Sequence, residues 1–168
     1  MTSVKTPNQK ILTFLTYPEG AEEAANRYTT LFPDSEITRI TRMGPGGHLP
    51  EGVAMSISFC LAGQPFIAIN GGPHFSFSQG ISLLVNCDTQ EEVDHYWETL
   101  SEGGVQQPCG WLKDKFGVSW QVVPSILGKM MQDEDREKAG RVMQAMFQMT
   151  KMDVAALEKA FQGSTLPQ

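Results

Sequence analysis

The feature that most constrains the fold of this chain is an internal repeat. Ala24 and Tyr28 lie on the apolar face of a predicted helix. Val93 and Trp97 repeat that face on a second predicted helix, the same number of positions further along the chain. Strand-like runs flank each helix: residues 11–17, 35–42, 53–61 and 66–70 in the first copy, and 81–87, 105–113 and 118–123 in the second. Two copies of strand-helix-strand-strand-strand are the simplest description.

The repeat predicts an α+β fold. The first copy covers about residues 9–73 and the second about 80–124, and a glycine- and proline-rich loop at 43–52 accounts for much of the greater length of the first. Two such copies predict one closed or cupped mixed sheet with helices on its outside. Because 168 residues suffice for one compact domain with a core, we expect a single domain over residues 1–168.

A helical tail is predicted to follow at about residues 125–162. Its longest helix is expected over residues 134–149, and Asp153 is expected to cap a last helix that carries Leu157 and Phe161. The apolar stripe of the long helix consists of Val142, Met143, Met146 and Phe147. Such a methionine-rich face predicts a place in the core or in a subunit interface.

Charge and hydropathy exclude several classes of protein. The net charge of −6 and the lack of a Lys/Arg run argue against binding to nucleic acid or to an anionic membrane. No apolar run approaches the roughly 20 residues that cross a bilayer, and the polar residues 1–10 contain no signal-peptide core. A cytoplasmic location is the resulting expectation.

The three cysteines predict neither a disulfide framework nor a metal or redox pair. Their number is odd and their spacing is wide. Cys60 and Cys87 lie in strand-like runs, which indicates small core residues. Cys109 lies in a loop-like segment near Trp111, where an exposed thiol close to a site is conceivable.

A polar amide interrupts the last strand of the second copy. Strand residues alternate between two faces, so Gln121 shares one face with Ser119 and Val123, within an otherwise apolar strand. The repeat pairs Gln121 with Asn70, which ends the last strand of the first copy. Gln121 and Asn70 are therefore candidate site residues.

Four segments resemble a known family. They are residues 21–28 (AEEAANRY), 70–73 (NGGP), 85–94 (VNCDTQEEVD) and 109–124 (CGWLKDKFGVSWQVVP). They are similar to the PhnB-like family, whose members are often labelled 3-demethylubiquinone-9 3-methyltransferase. That family belongs to the glyoxalase/bleomycin-resistance/extradiol-dioxygenase, or vicinal oxygen chelate, superfamily. The resemblance covers roughly residues 9–162.

The resemblance implies two paired βαβββ modules that form a cupped sheet, and a homodimer. In metal-dependent relatives the ligands project into the cup from the first and last strands of each module. The matching positions here are Thr13 and Ser82 on the first strands, with Asn70 and Gln121 on the last strands. Two hydroxyls and two neutral amides are weak donors without charge, so no metal is expected there. They could instead bind a small-molecule ligand, or be satisfied internally by backbone or water.

Other candidate residues are weaker. The resemblance places His74 near the mouth of the cup, where it could form an aromatic entrance with Cys109 and Trp111. His48 and His95 are expected to be structural or solvated.

The leading functional hypothesis is a metal-free, cofactor-free protein that binds an unidentified small molecule in the cup. The alternative is an enzyme, either metal-dependent or a methyltransferase as the family label states. Against the methyltransferase reading, no glycine-rich turn of the kind that binds S-adenosylmethionine on a Rossmann-like sheet follows the first strand. A structural cup without a ligand is the third possibility.

Overall fold

A computed structural model describes residues 9–47 and 50–163, which form two compact units that divide between Ser76 and Phe77. The predicted repeat is confirmed, because each unit contains one four-stranded mixed sheet with a helix in the order βαβββ, and the helical tail follows in the second unit. The first unit contains β1 (Thr13–Tyr17), α1 (Ala21–Leu31), β2 (Glu36–Arg42), β3 (Ala54–Leu61) and β4 (Gln64–Asn70). The second contains β5 (Leu83–Cys87), α2 (Gln90–Ser101), β6 (Val105–Gln106), β7 (Trp111–Lys113) and β8 (Ser119–Pro124). That the two units form one domain stays a prediction.

The first sheet has the strand order β1-β4-β3-β2, with β1 parallel to β4 and the other pairs antiparallel. Helix α1 packs on β3 and β4 and buries Ala24 and Tyr28, as their spacing predicts. The helix-covered face of this sheet includes Tyr17 and Ile57, both 0% exposed. Phe14, which points the other way, is 53% exposed.

The second sheet repeats this arrangement with the order β5-β8-β7-β6, and β5 is parallel to β8. Helix α2 packs on β5, β7 and β8 and buries Val93 and Trp97. Thr89 caps α2, because its Oγ1 accepts a hydrogen bond from Glu92 N. The Glu92 carboxylate in turn accepts from Asp88 N, which holds the turn between β5 and α2.

The first strand of each sheet begins later than the sequence predicts. Pairing starts at Thr13 in β1 and at Leu83 in β5. Ile11 and Ile81 precede the ladders and are 87% and 79% exposed. Because Ile11 and Ile81 are apolar, they were predicted to belong to the strands. Neither residue is paired in the ladders of its sheet.

The predicted helical tail consists of α3 (Ser125–Met131), α4 (Arg136–Phe147) and α5 (Val154–Gln162). As expected, Asp153 caps α5, and its carboxylate accepts from Ala156 N. The tail is tied to α2 by the Gln90 side chain, which donates to Met152 O and accepts from Val154 N.

The apolar stripe of α4 is only partly buried. Val142 is 0% exposed, whereas Met143 and Phe147 are 39% and 59% exposed. Met143 and Phe147 therefore do not belong to the core of this chain, and their place in a subunit interface stays a prediction. No helix in the described part of the chain is both long and apolar enough to cross a membrane.

Candidate functional site

The segment before β8 is held by one buried carboxylate. Asp114 is 5% exposed, and its Oδ1 accepts hydrogen bonds from Phe116 N and Val118 N, both at 2.9 Å. Its Oδ2 accepts from Trp120 Nε1 at 2.8 Å. The carboxylate therefore fixes the turn between β7 and β8 and anchors the first residues of β8.

The alternation of β8 separates two faces of the second sheet. Leu112, Trp120 and Val122 point toward α2 and are at most 2% exposed. On the opposite face, Leu84 beside Gln121 is 49% exposed. We call the side away from α2 the distal face.

The polar residues of the distal face occupy neighbouring positions. In the ladders Gln121 pairs with Leu84 and with Trp111, while Ser119 pairs with Lys113. Ser82 lies two residues before Leu84 and so points the same way. We call Ser82, Trp111, Lys113, Ser119 and Gln121 the distal cluster.

Two members of the distal cluster are hydrogen-bonded to each other. Gln121 Nε2 donates to Ser82 Oγ at 2.8 Å, and both side chains are half-buried. This bond leaves the Gln121 carbonyl oxygen and the Ser82 hydroxyl proton for another partner. The structure therefore brings together two of the four strand residues predicted from the sequence.

Ser119 is the most unusual member of the cluster. It is 2% exposed, and its Oγ has no hydrogen-bond partner within residues 9–47 and 50–163. A buried hydroxyl without a partner is energetically costly, so such a group indicates an unseen water or ligand. Ser119 was not a predicted site residue, although the alternation that singled out Gln121 had already placed Ser119 on the same face.

Asn70 has a different role from that of Gln121. Its Oδ1 accepts from Ala21 N at 3.0 Å, and its Nδ2 donates to Ala54 O at 3.3 Å. Gly20 at the N-cap of α1 has no side chain, and Asn70 satisfies the first helical N–H in its place. Asn70 thus lies on the helix-covered side of its sheet.

The expected equivalence of Asn70 and Gln121 is therefore wrong. Tyr17 pairs with Asn70 and Cys87 pairs with Pro124, and both Tyr17 and Cys87 are 0% exposed. The ladders make Pro124 the counterpart of Asn70. Because Gln121 lies three residues before Pro124, it points to the other face.

The register expected for Thr13 is wrong for the same reason. Thr13 pairs in parallel with Phe66, which is 5% exposed. Thr13 therefore points to the helix-covered face of the first sheet. Its predicted counterpart Ser82 points away from α2 in the second sheet.

Substitution of Asn70 tests its structural role. Asn70→Ala should lower the free energy of unfolding by about 1–2 kcal/mol, the usual range for a lost helix cap. Urea denaturation measures this change. An unchanged midpoint would show that the Asn70 amide does not stabilise α1.

The remaining predicted residues lie in different segments of the chain. His74 is exposed in the segment after β4, and Trp111 belongs to the distal cluster. Cys109 N donates to Met149 O, and the Cys109 thiol contacts Met146 O at 3.7 Å, so this residue ties the loop before β7 to the tail. His95 is exposed beside Tyr96, and His48 lies outside the described residues.

The other two cysteines are buried, as predicted. Burial, together with the nearby Glu92 and Asp88 carboxylates, raises the pKa of Cys87 to about 11. Its thiol therefore stays protonated at neutral pH and is not an activated nucleophile.

The donors of the distal cluster do not fit a divalent metal. Its oxygens come from hydroxyls and one neutral amide, whereas such ions prefer imidazole or carboxylate ligands. Within the described residues, no three His, Cys, Asp or Glu side chains come together as a possible metal site.

Two open grooves lie elsewhere in the second unit. A groove of about 380 Å³ is lined by α3 and α5, and one of about 470 Å³ lies at the start of α2 and α5. In the second groove, Lys151 pairs with Asp94 and lowers the pKa of that carboxyl group. Because the polar groups there already join α2 to the tail, this groove is part of the tail's attachment.

The sequence and the fold were compared with known proteins. A family model described as 3-demethylubiquinone-9 3-methyltransferase matches residues 9–123. The solved structure of the PhnB protein from Bacillus cereus is 40% identical, with a TM-score of 0.66 over 70% of this chain and 100% of that one. A comparison with curated proteins gave no match.

Two more distant structures share the fold alone. A protein from Pseudomonas aeruginosa is 21% identical, with a TM-score of 0.57 over 69% of this chain and 97% of that one. A variant of the fosfomycin resistance protein FosX from Listeria monocytogenes, complexed with Mn(II) and dihydroxypropylphosphonic acid, is 14% identical. Its TM-score is 0.50, over 68% of this chain and 90% of that one. The family model and the PhnB protein show that this chain belongs to the PhnB-like, or 3-demethylubiquinone-9 3-methyltransferase, family of the glyoxalase/bleomycin-resistance/extradiol-dioxygenase superfamily.

Proposed function

We propose that this protein binds a small organic molecule at the distal cluster, without a bound metal. The observation that carries the proposal is the Ser119 hydroxyl, which is 2% exposed and unpaired within the described residues. Ser82 and Gln121 lie beside it with hydrogen-bonding capacity to spare. A few directed polar groups beside aromatic surface such as Trp111 are the usual form of a small-molecule site.

The absence of a bound metal is part of the proposal. Mn(II) is present in the FosX structure, but the distal cluster here offers no carboxylate or imidazole ligand. Elemental analysis of the purified protein tests this point. Stoichiometric zinc, iron or manganese that disappears in a Ser82→Ala, Gln121→Leu double variant would contradict it.

Methyl transfer is the second candidate function, because the family description names it. Against it, β1 is followed by Pro18, Glu19 and Gly20, and each four-stranded sheet has one parallel pair only. Neither feature provides the glycine-rich turn of a Rossmann-like sheet. Calorimetric titration with S-adenosylmethionine decides the question, and binding that depends on the distal cluster would favour the transferase.

A ligand screen by thermal shift tests the binding proposal. A ligand at about 100 times its Kd stabilises the folded state by about 2.7 kcal/mol. Ser82→Ala with Gln121→Leu should raise the Kd roughly thirtyfold, because the two lost hydrogen bonds contribute about 1 kcal/mol each. The stability of the free protein should change by less than about 1 kcal/mol, since both side chains are only half-buried.

Asn70→Ala is the matched control for that experiment. It removes an amide that bonds only to Ala21 N and Ala54 O in the first unit, so the ligand response should persist although the protein is less stable. The opposite pattern, with the response lost in Asn70→Ala and kept in the double variant, would overturn the proposed site. The implied homodimer also stays a prediction, which sedimentation equilibrium tests.

A further inference from the structure

We propose that the ligand of the distal cluster carries a small oxyanion group, a carboxylate, phosphate or phosphonate, which Lys113 and Ser119 bind together. This inference rests on the proposed function and narrows it to a class of ligand. It depends on the position and the missing partners of Lys113, a residue that was not among the predicted site residues.

Lys113 points to the distal face and has no acidic partner among the residues that the structure describes. It lies in the middle of the sheet, paired with Ser119 of β8 on one side and with Val105 of β6 on the other. Its side chain is half-buried, and within residues 9–47 and 50–163 it makes no hydrogen bond or ion pair.

Some cations of the chain are paired, as Arg42 is with Glu22 and Lys151 with Asp94. Lys113 differs from these in lying half-buried on the sheet without such a carboxylate among the described residues. The acid next in sequence, Asp114, has its carboxylate bound by three N–H groups of the turn. An ammonium group without a carboxylate among the described residues is therefore available to an anion from outside the chain.

Ser119 supplies the second contact. Paired residues of an antiparallel ladder have their Cβ atoms about 5 Å apart, so one oxyanion group can reach both Lys113 Nζ and Ser119 Oγ. The Ser119 hydroxyl is buried and unpaired, and a hydrogen bond from it to a charged oxygen is stronger than one to a neutral acceptor.

The rest of the cluster fits an organic body attached to the anion. Trp111 lies two residues before Lys113 on β7 and on the same face, so it is the aromatic residue nearest along that strand to the anion position. Gln121 and Ser82 offer neutral hydrogen bonds on the other side. The arrangement favours a small aromatic or unsaturated acid over a simple inorganic anion.

Titration calorimetry with benzoate, phenylphosphonate and the neutral benzamide tests the proposal. We expect at least one of the two anions to bind the wild-type protein at least tenfold more tightly than benzamide does, and the tighter anion identifies the preferred acid group. Lys113→Met should weaken that anion at least tenfold, and Ser119→Ala several-fold. Lys113→Arg keeps the charge and should retain most of the affinity for the anion. This variant distinguishes an effect of the positive charge from an effect of side-chain packing.

Lys129→Met is the matched control. It removes the same charge from an exposed position near the end of α3, and anion affinity should stay within twofold of wild type. The inference is overturned if neither anion binds, if benzamide binds equally well, or if Lys113→Met binds like Lys129→Met. A neutral compound that binds through Ser82 and Gln121 but does not respond to Lys113→Met would overturn this inference and leave the proposed function intact.

Discussion

Replacement of Asp114 by alanine is expected to lower the free energy of unfolding by about 3–5 kcal/mol. The carboxylate is 5% exposed and accepts hydrogen bonds from Phe116 N, Val118 N and Trp120 Nε1. Hydrogen bonds to a charged group contribute about 1.5–3 kcal/mol each, and the alanine variant leaves their donors buried without a partner. Urea denaturation followed by tryptophan fluorescence measures the loss.

Two further variants give reference values for the loss of stability in Asp114→Ala. Asp114→Asn keeps one acceptor oxygen but turns an NH₂ group toward donors, and it should cost about half as much as alanine. Asp153→Ala removes one cap bond to Ala156 N and should cost about 1 kcal/mol. If Asp114→Ala were no more damaging than Asp153→Ala, the carboxylate would not be what holds the β7–β8 turn.

The fold was largely predictable from the sequence, because the repeat consists of large apolar residues whose spacing predicts which helix positions are buried. Tyr28 and Trp97 are at most 3% exposed on their helices, as their spacing predicts. The same rule does not bury Met143 and Phe147 within this chain. Periodicity identifies which face of a helix is apolar, but the extent to which neighbours cover that face depends on tertiary packing.

The site was only partly predictable. Gln121 was singled out by strand alternation and the repeat, whereas Ser82 became a candidate through the family resemblance. Asn70 was misassigned because a slip of one residue in a strand reverses the face, and only the ladders with Tyr17 and Cys87 fix the register. The unpaired state of Ser119 and Lys113 depends on contacts made in three dimensions, which no local pattern records.

Gly104→Ala is the second substitution with a large expected effect, and it acts on the same hairpin. A Cβ at this position would lie 2.2 Å from Lys113 O and 2.9 Å from Asp114 Cα. Both atoms belong to the backbone and cannot rotate away, so the chain before β6 must move from β7. Overpacking of this kind costs about 3 kcal/mol, and urea denaturation should show a loss of that size.

Gly140→Ala provides the opposite expectation within the same protein. Gly140 lies in α4, and a Cβ there would meet no atom within 4 Å. Alanine has the higher helix propensity, so this variant should gain about 0.5–1 kcal/mol. If Gly104→Ala lowers the free energy of unfolding and Gly140→Ala raises it, position 104 needs glycine because the backbone of Lys113 and Asp114 lies so close. Backbone flexibility would then not be the reason. Equal changes in the free energy of unfolding for the two variants would contradict that explanation. A stable Gly104→Ala protein with wild-type anion affinity would show that the hairpin tolerates movement of the chain before β6 away from β7.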